Sequence, residues 1–170
     1  KREREANTFA SYLLMPFDDF RSQIGSNTLS LELIDHLSNR YQVSRTAAML
    51  RWVDGCSKRA KIVCSTDGCI DWFYHSKLLI KSGGYLKYNK EKSPLNIPEQ
   101  SLTNINNTFI AHRPGVWSEQ EEVKELSFSY ATNQTNVIVS LLIYPDEAPE
   151  TIEENHNIYD SPHFRIFDNY

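Results

Sequence analysis

Lys61-Ile62-Val63-Cys64-Ser65-Thr66-Asp67-Gly68-Cys69-Ile70-Asp71-Trp72-Phe73-Tyr74 is where the sequence changes its period. Before it, apolar residues recur at three- and four-residue spacing. From Ala60 onward they alternate in twos, the spacing of strands rather than helices. Asp67-Gly68 separates the two runs, and this dipeptide tolerates the positive φ that a type I′ hairpin turn requires at both central positions. A two-residue turn sets Cys64 and Cys69 diagonally on one face of the hairpin instead of opposite each other. They read as small buried residues, not a redox pair. Zinc binding by the two would need two further ligands, and the neighbouring sequence offers none.

Toward the C-terminus, 123–131 and 136–144 are the strongest strands. Leu126, Phe128 and Tyr130 alternate, whereas Val137-Ile138-Val139 and Leu141-Leu142-Ile143 are nearly continuous. The second strand is therefore expected to be covered on both faces, near the centre of a sheet. Thr132-Asn133-Gln134-Thr135 joins them as a hairpin. Between 76 and 118, Ser82-Gly83-Gly84, Pro94, Pro98, Pro114 and the polar patch Asn104-Ile105-Asn106-Asn107 interrupt the pattern. Irregular structure with a short strand near 108–111 is the expectation there. His112-Arg113-Pro114-Gly115-Val116-Trp117 reads as a solvated turn anchored by Trp117, with an active-site loop as the alternative. The acidic run 119–122 reads as a solvated edge, 146–157 as a mobile connector, and 161–170 as an aromatic segment that docks back as a strand or short helix.

Toward the N-terminus the period is helical. Asp18 or Asp19 can begin a short helix that passes Phe20 and Ile24 and stops at Gly25. Leu31, Ile34, Leu37 and Tyr41 form one stripe of a second helix, with Ser30 or Thr28 as its N-cap. Gln42-Val43 turns the chain, Ser44 caps a third helix to about Asp54, and Gly55 stops it. This pair, carrying V-S-x-x-A-A-x-x-R, has the outline of a helix-turn-helix. A DNA-binding reading offers Arg45 and Arg51 to the duplex; the other reading is a packed helical pair. Residues 1–59 carry nine Lys/Arg and seven Asp/Glu, against nine and fifteen in 60–170. That asymmetry marks a boundary near Ser57-Lys58-Arg59 and makes no basic surface for nucleic acid by itself.

The opening stretch, Glu3-Arg4-Glu5-Ala6-Asn7-Thr8-Phe9-Ala10 into Leu13-Leu14-Met15-Pro16, is an amphipathic helix ended by Pro16. Glu5 precedes Phe9 by one turn and lies close to the apolar face, where a covered carboxylate needs a cation, a donor or a metal. The bland reading is a first-turn Glu that favours the helix N-terminus. The string E-x-E-A-N-x-F-A-x-x-L-L-M-P resembles the segment after the zinc motif of the ImmA/IrrE metallopeptidases. The resemblance is specific over 3–16 and looser to about residue 75.

The resemblance implies a third zinc ligand in this helix, Glu5 with Glu3 as the fallback, following a His-Glu-x-x-His helix that supplies two ligands and the catalytic Glu. Arg4 and Asn7 become candidates to hold the ligating carboxylate. No His-Glu-x-x-His occurs in the chain, whose five histidines are His36, His75, His112, His156 and His163. The expectation is therefore the C-terminal part of a zinc endopeptidase, with no catalytic residue of its own, inactive alone and with zinc held only by the intact parent. An Xre-type repressor is the implied substrate, and a GAF-like sensor the implied form of the C-terminal half.

The expected class is α+β: 1–16 the tail helix of a peptidase domain, 17–57 a helix-turn-helix-like segment, and 58–170 a strand-rich regulatory domain. Two other functions stay open, a non-catalytic ligand-sensing or protein-binding domain and a DNA-binding regulator. Three cysteines without C-x-x-C spacing favour a reducing compartment, the cytoplasm. No apolar run reaches membrane-spanning length. Phosphate loops, G-x-G-x-x-G and G-x-S-x-G are absent from the sequence.

Overall fold

The computed structural model describes residues 13–25, 29–83, 96–103, 108–131, 135–148 and 164–166. The chain divides into two units, Lys1–Cys56 and Ser57–Tyr170. The first is helical and the second is built on an antiparallel sheet, an α+β chain.

The helical unit contains α1 (Phe17–Ile24), α2 (Leu31–Tyr41) and α3 (Arg45–Gly55). Leu13 and Leu14 are helical and the chain bends at Met15, ahead of Pro16. Ser30 caps α2 by accepting from the Leu33 amide, and Ser44 caps α3 by accepting from Ala47. Gln42 takes the left-handed conformation (φ 53°) that reverses the chain between α2 and α3. Leu31, Ile34 and Leu37 are buried as their stripe requires, together with Phe20, Met49, Trp52 and Val53. α3 ends at Gly55, where the stop was expected. Gly55 is helical, and a Cβ there would come within 2.9 Å of the Phe17 ring, so close approach explains the glycine.

The sheet contains β1 (Ala60–Thr66), β2 (Cys69–His75), β3 (Ile110–His112), β4 (Val123–Ala131), β5 (Asn136–Ile143) and β6 (Phe164–Ile166), in the order β3-β4-β5-β1-β2-β6. β5 lies between β4 and β1, interior as its continuous apolar run indicated. Asp67 (φ 49°) and Gly68 (φ 87°) make the hairpin turn, and a bulge at Cys64/Ser65 then shifts the register. Asp67 also accepts from the Asn136 amide through its side chain, tying the hairpin tip to the start of β5.

Two short helices, α4 (Lys77–Lys81) and α5 (Glu99–Thr103), lie where irregular structure was expected. Ser76 explains α4: its hydroxyl accepts from the Leu79 amide as an N-cap and from the Ala60 amide of β1. Tertiary anchoring has overridden weak local pattern. The expectations for the opening helix before Leu13, for Ser26-Asn27-Thr28, 84–95 and 104–107, for the 132–134 turn, and for 149–163 and 167–170 lie outside the described residues.

Candidate functional site

The register sets one row of residues across five strands. Ile110 faces Glu125, Glu125 faces Leu142, Leu142 faces Lys61 and Lys61 faces His75. Cross-strand partners share a face, so an acid, a lysine and a histidine lie in one line. Ser127, Ser140, Val63 and Phe73 make the adjacent row. Glu125, Lys61, His75, Ser127 and Ser140 are all buried. They sit on the face of a hydrophobic cluster that includes Val63, Phe73, Leu79, Ile97, Val123, Leu142 and Tyr144. Polar groups in such a place must find partners or carry a cost.

Glu125 is the most heavily partnered of them. Its Oε1 accepts from Ser140 Oγ at 2.6 Å, and its Oε2 accepts from Ser101 Oγ at 2.7 Å and Trp117 Nε1 at 3.0 Å. His112 Nε2 lies 2.7 Å from the same Oε2. The carboxylate thereby joins β5, α5, the 113–118 turn and β3. His112 was expected in an exposed turn. It is instead the last residue of β3 and is buried, because its strand position aims it at Glu125's face. Trp117 anchors the turn as expected. Both serines donate to a carboxylate and not to an imidazole, so neither is set up as a nucleophile in the manner of a hydroxyl–imidazole relay.

A second buried charge lies at the foot of β1. Arg59 Nη2 donates to Glu121 Oε2 at 3.2 Å and Nη1 to Glu121 Oε1 at 2.5 Å. The same guanidinium donates to Ser82 Oγ at 2.7 Å and to the carbonyls of Pro145 and Glu147 at 2.9 and 3.2 Å. Nearly all its donors are used, as a buried guanidinium needs. Glu121 therefore overturns the reading of 119–122 as a wholly solvated edge, since Arg59 draws this one acid inward.

Lys61 differs from both. Its side chain is buried on the sheet, and its Nζ lies 5.2 Å from the centre of the Tyr144 ring. It has no hydrogen-bond acceptor among the described residues, and burial lowers its pKa to about 7 against a smaller upward pull from Glu121. Tyr144 Oη is also buried and without a hydrogen-bond partner among the described residues. Burial pushes the Tyr144 phenol up, beyond its ordinary range.

The residues singled out by sequence fall elsewhere. Glu5, Glu3, Arg4 and Asn7 lie outside the described residues. Arg45 is half-exposed and forms a two-point ion pair with Asp35, Nη2 to Oδ2 at 2.8 Å. Arg51 is not a solvent-side charge. It is 2 % exposed, gives Nε to the Met15 carbonyl at 3.2 Å and Nη1 to Asp54 at 3.5 Å, and stacks 5.3 Å from the Phe17 ring. Its place on the inner side of α3 turns it from a DNA-facing candidate into a packing residue.

Cys56, Cys64 and Cys69 are free thiols, and Cys64 is pushed up to about 12 mainly by burial. Among the described residues no three His, Cys, Asp or Glu side chains gather as a metal site, so these residues alone do not fit a zinc ion. Sequence reasoning missed Lys61 and Glu125. The usable signal was the apolar character of both faces of β5, which requires cover on both sides and so buries any polar residue aligned with it.

Residues 1–53 match the family model of the M78 peptidases, described as the IrrE N-terminal-like domain. The match runs from the first residue into α3 and ends before the hairpin. No curated protein matches the chain. Among the described residues no helix is long and apolar enough to cross a membrane.

Proposed function

From the kinship of its first 53 residues to the ImmA/IrrE-family metallopeptidases, we propose that this chain is the C-terminal part of a zinc-dependent endopeptidase. Glu5 contributes one metal ligand, with Glu3 as the substitute, and a His-Glu-x-x-His helix elsewhere in the intact protein contributes the others. Arg4 and Asn7 hold the ligating carboxylate. The observation that carries the reading is the family match over the stretch containing E-A-N-x-F-A. The substrate is a regulatory protein of the Xre-repressor type, and the chain works in the cytoplasm, in keeping with three free thiols.

The sheet unit serves regulation in this reading. Its strand order and its embedded polar row support a GAF-like sensing role, because a row of buried polar groups, among them a phenol with no partner among the described residues, is costly to fold unless it is used. Cleavage of an Xre-type repressor by the intact protein and by residues 1–170 alone tests the proposal. Cleavage by the intact protein only is the expected result. No cleavage by either would favour the second reading, a non-catalytic sensing module.

A further inference from the structure

We draw no further inference here: the strongest candidate, the exposed apolar patch of Leu13, Leu14 and Phe17 leading into α1, carries nothing, because nothing among the described residues shows what covers it.

Discussion

Ser140 faces Ser127 in the register of the sheet, yet it gives its hydroxyl to Glu125, one row along the same face, at 2.6 Å. This diagonal bond ties the carboxylate of β4 to the neighbouring strand β5, and Ser101 and Trp117 donate to its other oxygen. Hydrogen bonds to a buried carboxylate are stronger than neutral ones. Ser140→Ala is expected to cost about 1.5–3 kcal/mol. Glu125→Ala strands two hydroxyls and an indole N–H in the core and is expected to cost about 3–5 kcal/mol. Urea unfolding of the two variants measures both, and equal losses would contradict Glu125 as the common acceptor.

Arg59 and Glu121 are both almost fully buried, 4 % and 7 % exposed at the side chain. Removing one partner leaves the other charged in the core, so Glu121→Ala is expected to destabilise by about 3–5 kcal/mol. Replacing both by apolar residues of similar size, Arg59→Met with Glu121→Leu, is expected to recover most of that loss. A double variant no more stable than Glu121→Ala would show that the Pro145, Glu147 and Ser82 contacts, not the charge pair, dominate.

Lys61 sets a pH dependence whose sign follows from its lowered basicity. In the folded protein it loses its proton near pH 7, and in the unfolded chain near the ordinary lysine value of 10.5. Between those values the unfolded state binds the extra proton, so stability rises as pH rises from about 7 toward 10.5 and is insensitive to this group below 7. Lys61→Met is expected to flatten that rise and to gain on the order of a few kcal/mol at pH 7. Denaturant midpoints at pH 7 and pH 9.5 for both proteins check it, and an identical slope in the variant would assign the rise elsewhere.

Arg51 and Arg45 separate packing from surface charge on one helix. Arg51→Met strands the Met15 carbonyl and removes a cation from the Phe17 ring, with an expected cost of about 1–3 kcal/mol. Arg45→Ala breaks an exposed pair with Asp35 and is expected to cost less than about 1 kcal/mol. Neither is expected to alter duplex DNA binding at low salt, measured by gel shift; a loss of binding in Arg45→Ala would restore the DNA-reading helix.

The elements of regular period were legible in the sequence. The Leu31 stripe, the Ser44 cap, the Asp67-Gly68 turn and the interior position of 136–143 all follow from local chemistry that the fold leaves in place. The missed elements depend on partners far along the chain. Ser76 starts α4 because it also binds β1, and Glu121 is buried because Arg59, sixty-two residues earlier, meets it. Lys61 and Glu125 carry no mark in the sequence that singles them out from other charged residues of the strands. They are buried because both faces of the sheet are covered, and single-strand periodicity carries no information about a second layer. Arg51 was misread for a related reason: its aliphatic stem and guanidinium fill the inner side of a helix whose polar face is small.

Zinc content is the most direct measure of the central claim. The intact protein carrying a His-Glu-x-x-His helix is to be compared with its Glu5→Gln variant, as metal per chain by mass spectrometry. About one zinc per chain is expected, with affinity weakened by the substitution at least as much as the roughly ten- to hundredfold that loss of a group supporting a ligand costs. Full zinc retention in Glu5→Gln with loss in Glu3→Gln would move the ligand to Glu3. Zinc unaffected by either, or no zinc in the intact protein, would contradict the account.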